Sequence, residues 1–315
     1  MISKSAKIEK KALELGFSAI GFSRAEFLEK ESRQLKRWLD NGFHGNMQYM
    51  ENHFEKRVDP TKLVEGAKSV ISVLYNYYPN HRQREDTYQI SKYAYGRDYH
   101  DVVKEKLFLL FEFIRTTFGK VDGRVFVDSA PVMDKVWAAR SGLGWIGKNT
   151  NFISKELGSF VFIGELILDL ELEVASTPGK DYCGHCTRCI DACPTQALRP
   201  YRLDARKCIS YLTIENKGEI PSVFKEKWDA WIFGCDICQD VCPWNRKAKP
   251  HAEPRFKLSE VLKNLEKEEW KSLDKESFTK LFKGTAVERT KFKGLKRNIE
   301  FQQKKPLTKS KGLDS

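Results

Sequence analysis

The sequence predicts an α+β architecture in three parts. A layered α/β domain covers residues 1–175, a small cysteine-rich domain covers 176–248, and a helical, basic C-terminal region covers 249–315. Three observations predict it. Helical and extended hydrophobic periods alternate as far as about residue 175, the pattern of a layered domain with its own core. All eight cysteines of the 315-residue chain fall between Cys183 and Cys242. Of the net charge of +12, +9 lies in residues 247–315, where 19 Lys and Arg stand against 10 Asp and Glu.

The elements of the first part follow from local pattern. Ile8, Ala12 and Leu15 share one face of a helix over about residues 5–16. Ser18 to Phe22 reads as a short buried strand and Glu26 to Leu39 as a second helix. The glycine-punctuated run from Gly42 to Tyr49 is a loop, and FEKRVDP, Phe54 to Pro60, a connection that stops at its proline. Lys68 to Tyr78 is β-branched and aromatic, hence a strand. Asp101 to Thr117 is a long amphipathic helix, Arg124 to Asp128 a strand, and Val132 to Ser141 a helix ending at Gly142. Ser159 to Leu172 reads as extended with a bend near Gly164. Lys257 to Phe282 reads as two further helices, and the polar tail from Gln302 as disordered.

The cysteines carry the most specific chemistry. Cys183, Cys186, Cys189 and Cys193, closed by Pro194, read C-x2-C-x2-C-x3-C-P. Cys208 stands alone, and Cys235, Cys238 and Cys242, closed by Pro243, read C-x2-C-x3-C-P. Eight thiolates are what two [4Fe–4S] clusters need, and in the bacterial ferredoxin run the fourth cysteine crosses to the other cluster. Applied here, Cys183, Cys186, Cys189 and Cys242 hold cluster 1, and Cys193, Cys208, Cys235 and Cys238 hold cluster 2. The part is therefore expected to be a ferredoxin-like domain. A disulfide framework suits small secreted chains instead, and paired zinc sites favour separated C-x2-C knuckles. No stretch approaches ~20 uninterrupted apolar residues, so no membrane span is expected. The N-terminus reads as a first helix rather than a signal, and with thiolate clusters the expected compartment is the cytoplasm. The basic C-terminal region is either a polyanion-binding surface or a solvated tail.

Other motifs are weaker. GLGWIGKN has Asn149 where a phosphate loop needs Ser or Thr, and a helix, not a strand, precedes its glycines. Asp128 ends a strand before a Ser-Ala-Pro turn. It is either a carboxyl facing a ligand crevice or a turn and capping residue. Asp98 and His100 form D-x-H, but Val103 stands where the cobalt-ligating D-x-H-x-x-G motif has glycine. Tyr93, Tyr95 and Tyr99 could flank a cofactor or pack in the core.

In combination these segments are specific. FEKRVDP, GRDYHDV, VDSAPVMDK, GLGWIGKN, CGHCTRCIDACPTQAL, CISYLTIE and FGCDICQDVCPWN occur in this order. Over roughly residues 1–300 the chain resembles the epoxyqueuosine reductases, cobalamin-dependent iron–sulfur oxidoreductases of queuosine biosynthesis. The resemblance implies a catalytic domain binding base-off cobalamin beside a two-cluster domain. It implies reduction of epoxyqueuosine to queuosine at the wobble position of tRNA, with Asp128 as proton donor. It implies cobalamin contacts at Arg57, Asp128, Phe152, Ser154, Ile163, Ser210, Asp236 and Ile237. Longer members carry C-terminal HEAT-like repeats that help hold tRNA, and here most of that repeat is missing. The basic tail and the Lys217 loop are expected to take over part of the grip on tRNA. A monomer fed by an electron donor of unstated identity, with no membrane partner, completes the expectation. The alternatives are a corrinoid reductase of a small molecule, as in reductive dehalogenases, and a non-enzymatic electron carrier.

Overall fold

A computed structural model describes residues 2–174, 180–228 and 230–303. The tail beyond Gln303 and the expected domain boundary at 175/176 lie outside the described residues. Helix α1 (Lys4–Glu14) starts at Ser3, whose side chain accepts the Ala6 N–H, and buries Ile8 and Ala12. Strand β1 (Ala19–Arg24), helices α2 (Glu29–Asp40) and α3 (Phe54–Val58), and strands β2 (Ser69–Asn76) and β3 (Gln89–Ile90) follow. Next come α4 (Tyr99–Phe118), β4 (Gly123–Phe126), α5 (Asp134–Arg140), the short pair β5 (Trp145–Ile146) and β6 (Phe152–Ile153), and β7 (Val161–Leu168). Four strands form one sheet in the order β1-β2-β7-β4, and every pairing in it is antiparallel.

Both faces of this sheet are covered, which is why β2 reads as a continuous apolar run. Ile8, Leu107, Leu110 and Leu166 belong to the layer under α1 and α4. Leu35, Val58, Val136, Trp137 and Ile167 belong to the layer under α2, α3 and α5.

Several expectations are corrected here. FEKRVDP is not a plain connection, because Phe54–Val58 forms a helical turn before Pro60. β7 runs straight through Gly164 instead of bending there. A Cβ at that position would stand 2.7 Å from Leu107 Cδ1, so the glycine lets α4 lie close on the sheet. β4 ends at Phe126, and Asp128 lies beyond it with φ 49°. The crevice rule for parallel sheets therefore does not account for Asp128, since the sheet is antiparallel.

The cysteine-rich part is built from short elements: α6 (Arg188–Asp191), the hairpin β8 (Leu198–Arg199) and β9 (Arg202–Leu203), α7 (Ile209–Ile214), β10 (Trp231–Phe233) and α8 (Ile237–Asp240). Beyond it, Lys257 to Phe282 holds three short helices rather than two: α9 (Glu260–Asn264), α10 (Lys267–Ser272) and α11 (Lys275–Phe282). Helix α12 (Lys291–Gln303) closes the described chain. The packing cuts across the sequence boundaries. β10 pairs in parallel with β3, and Tyr88, Ile90 and Tyr95 share one core with Phe233, Trp270, Phe282 and Leu295. The loop that precedes α4 is thus fixed by the other two parts of the chain.

Candidate active site

A cavity of about 740 Å³ is walled by residues of both the sheet domain and the cysteine-rich part. Of the expected contact residues, Asp128, Phe152, Ile163, Ser210, Asp236 and Ile237 all line it. So do Cys193, Cys208, Cys235 and Cys238. A second cavity, of about 250 Å³, is lined by Cys183, Cys186, Cys189 and Cys242. The two spaces divide the eight cysteines into two fours, with Cys193 and Cys242 each crossing from its own run to the other group. None of the eight forms a disulfide. Among the described residues no three His, Cys, Asp or Glu side chains converge as the ligands of one ion do. The thiolates of a cubane need no such convergence, because each binds a different iron of the cluster.

Arg57 and Ser154 are not in the cavity wall. Arg57 is buried, and its Nη2 donates to the Tyr49 carbonyl at 2.8 Å. Ser154 is buried, its backbone bridged to Gly158. Lys217 is exposed beyond the cavity rim, and its Nζ donates to the Ile214 carbonyl at 3.0 Å.

Asp128 is held by α4. Asp98 caps that helix by accepting the His100 N–H at 3.0 Å, and its Oδ1 also lies 2.7 Å from His100 Nδ1. The other ring nitrogen, Nε2, lies 4.0 Å from Asp128 Oδ2. The Tyr99 hydroxyl donates to the same Asp128 oxygen. Tyr99 in turn stacks on His100 and, almost parallel, on Phe162, with ring centroids 4.1 and 4.2 Å apart. Burial works against the His100 imidazolium, but the Asp98 carboxylate outweighs it, with Asp128 adding to the effect, and the net shift is upward. Burial and the Asp128 charge push the Tyr99 hydroxyl well above its ordinary range, so it remains a donor. His100 is thus fixed by Asp98 through Nδ1, with Nε2 facing Asp128.

Charged groups back the cavity lining at Asp236. The Lys92 backbone N–H and Nζ both reach Asp236, at 2.8 and 3.3 Å, and Nζ reaches Asp240 at 2.7 Å. Lys92 and Asp236 are both buried, and this ion pair joins the loop before α4 to the residue that follows Cys235. Lys135 faces the cavity, and its Nζ donates to the Thr150 carbonyl at 3.0 Å. Two side-chain N–H groups approach thiol sulfurs: Trp145 Nε1 at 3.5 Å from Cys183 and Asn151 Nδ2 at 3.7 Å from Cys238. At the rim, Arg289 pairs with Glu215 at 2.8 Å and lies over the Tyr49 ring.

Sequence reasoning missed Tyr49, Lys92 and Arg289, which lie outside the motifs named above, and Lys135, which closes VDSAPVMDK. Tyr99 and His100 were singled out, but for other roles. Their adjacency to Asp128 comes from the sheet, which carries α4 past the end of β4.

A sheet domain joined to a double iron–sulfur module around one large shared cavity defines a redox protein. Residues 182–245 match a 4Fe-4S double cluster binding domain, and residues 57–129 match the domain of epoxyqueuosine reductase QueG known as DUF1730. An epoxyqueuosine reductase of Leadbetterella byssophila is 59% identical over 94% of this chain and 97% of its own. One from Pseudomonas aeruginosa is 43% identical over 91% of this chain and 81% of its own. An epoxyqueuosine reductase crystallised with an epoxyqueuosine-modified tRNA-Tyr stem loop superposes with a TM-score of 0.86 at 29% identity, covering 95% of this chain and 80% of that one. The Streptococcus thermophilus enzyme superposes with a TM-score of 0.85 at 32% identity over the same shares. The chain belongs to the epoxyqueuosine reductase family, and its members are oxidoreductases of queuosine biosynthesis. Among the described residues no helix is long and apolar enough to cross a membrane.

Proposed function

We propose that this protein reduces the epoxide of epoxyqueuosine at the tRNA wobble position to the cyclopentene of queuosine. The balance is simple. The epoxide takes up two electrons and two protons, both C–O bonds break, a C=C bond forms, and the oxygen leaves as water. The observation that carries the reading is that Asp128 and four cysteines, Cys193, Cys208, Cys235 and Cys238, face one cavity of about 740 Å³.

The cavity suits base-off cobalamin. Tyr77, Tyr93, Phe152, Phe162 and Ile163 offer broad apolar faces to a flat macrocycle, while Asn149, Asn151, Ser210 and Gln239 offer polar groups to its amides. When bound, the clusters supply single electrons and the corrinoid collects them for the substrate. Phe152, Ile163, Ser210, Asp236 and Ile237 would hold the corrinoid, with Arg57 and Ser154 buried outside the cavity wall. Tyr99 and His100 orient Asp128, whose carboxyl protonates the epoxide oxygen as its bond breaks. The wobble nucleotide leaves its stack to enter the cavity, as in other enzymes that act on a base. Support for tRNA as substrate comes from the relative crystallised with a tRNA stem loop and from the basic region 247–315.

The test is anaerobic incubation of cluster- and cobalamin-loaded protein with epoxyqueuosine-containing tRNA, followed by nucleoside analysis. Queuosine is the expected product. Asp128→Asn keeps the shape and loses the proton, so turnover should fall by on the order of 10²–10⁴ while the corrinoid spectrum is retained. Wild-type turnover in the variant would remove Asp128 from the role.

A further inference from the structure

Glu165 is fully buried in the middle of β7, and no hydrogen-bond donor reaches either of its carboxylate oxygens. Other buried carboxyls have a cation. Asp236 has Lys92, and Glu253 has Arg255 at 2.8 Å. An ion without partners in such a place costs several kcal/mol, roughly, so the group takes up a proton instead. A neutral acid is itself a donor and needs an acceptor. The neighbour that can accept is Asp134, at the start of α5, which packs on this face of the sheet.

Asp134 is the link to the active site. It starts α5 at the end of the loop that carries Asp128, it lines the same cavity, and its Oδ1 is buried with no donor on it. The loop between β4 and α5 is tightly turned. Asp128 has φ 49°, Ser129 N–H donates to the Val127 carbonyl at 2.6 Å, and Val132 N–H donates to the Ala130 carbonyl at 2.8 Å. A non-glycine residue with that φ needs its surroundings to hold it there. Glu165 pairs across the sheet with Phe126, the last residue of β4, so the acid pair lies directly below the loop's origin.

We propose that Glu165 is a positioning residue: as a neutral acid it donates to Asp134, and Asp134 accepts the Asp128 N–H, so the buried pair latches residues 127–133 with Asp128 turned into the cavity. The charged and titratable groups facing the pair are few. Asp128 comes from the loop, Arg57 from α3 faces Asp134, and Tyr99 and Lys135 lie nearby, while Ser72 on β2 and Phe126 on β4 bring no charge. Burial, with Asp134 alongside, drives the Glu165 pKa well above the ordinary carboxyl range. The latch is therefore closed at neutral pH and opens as Glu165 ionises.

The inference rests on Asp128 as proton donor for its catalytic meaning, but not for its test. Amide hydrogen exchange of the loaded enzyme reads the loop directly. In Glu165→Leu the amides of 127–133 should exchange on the order of tenfold faster, with turnover falling in step. Glu165→Gln keeps a donor of nearly the same shape and should restore loop protection. After correction for the intrinsic rate, wild-type protection of the loop should decline with rising pH while that of Glu165→Gln does not. Infrared spectra should show a protonated-carboxyl band at pH 7 in the wild type that is lost in Glu165→Gln, a reading that needs no folded Leu variant. Unchanged exchange in Glu165→Leu, no such band, or a Gln variant as loose as the Leu variant would each overturn the latch. Full turnover in Asp128→Asn would instead overturn the proton-donor reading and leave the exchange result standing.

Discussion

Asp128 and Glu165 are both acids, and they stand in very different surroundings. Asp128 is well exposed to the cavity and is approached by Tyr99 and His100, one neutral donor and one imidazole. Glu165 has no exposure and no donor. The consequence for stability is a matter of sign. The Glu165 pKa is raised on folding, so the unfolded chain releases its proton first as pH rises. The stability of the neutral acid is complete below its unfolded pKa of about 4.3 and is lost as the pH climbs towards the folded value. Asp134, raised to about 6 by burial and by the nearby Asp128 charge, acts in the same direction. Glu165→Gln cannot ionise in either state. The difference in unfolding free energy, wild type minus Gln variant, should therefore fall as the pH rises from 5 to 8, by up to about 1.4 kcal/mol per pH unit. Denaturant melts across that range would measure it. A difference that is flat with pH would mean Glu165 is not held neutral.

Elements matter because they exchange residues. Cys242 sits at the end of the second cysteine run yet lines the small cavity with Cys183, Cys186 and Cys189, and Cys193 makes the reverse crossing. Two short helices, α6 and α8, carry the runs past one another. Cys242→Ala should thus remove the cluster of the first run and spare that of its own, taking bound iron from about eight to about four per chain. Iron analysis with electron paramagnetic resonance of the reduced protein checks it; loss of both clusters' signals, or of neither, would contradict the pairing. This crossing was legible in the spacing, because a fourth cysteine followed by proline has a known geometry. The long elements were legible too: α1, α4 and β2 follow hydrophobic period. What escaped were features set by distant partners. The straight passage of β7 through Gly164 depends on Leu107, the helical turn at Phe54 on the layer under α2 and α3, and the left-handed Asp128 on Asp134 and Glu165. Glu165 belongs to no motif in the sequence, and only its missing partners give it meaning.

At the scale of the whole molecule, the proposed substrate is a large polyanion, which basic groups would have to hold. Arg297 on α12 is fully engaged, donating to the carbonyls of Asn216 and Gly218 at 2.6 Å and of Leu212 at 3.1 Å. Its charge fixes the loop that carries Lys217, which is exposed and close in sequence to the cavity-lining Glu215. Arg289 stands on the same rim. Residues 304–315 add Lys304, Lys305, Lys309 and Lys311 against Asp314. If these groups hold phosphates, each contact removed lowers the salt dependence by about 0.7–0.9 in the slope of log K against log salt. Deleting 304–315 should then weaken tRNA binding at low salt and flatten the slope by about 2–3, and Lys217→Ala should flatten it by a further ~1. Epoxyqueuosine-free tRNA would serve as ligand, since phosphate contacts precede recognition of the modified base. An unchanged affinity and slope in the truncated protein would assign the grip to the folded rim alone, and an unchanged slope in Lys217→Ala would take that loop out of the interface.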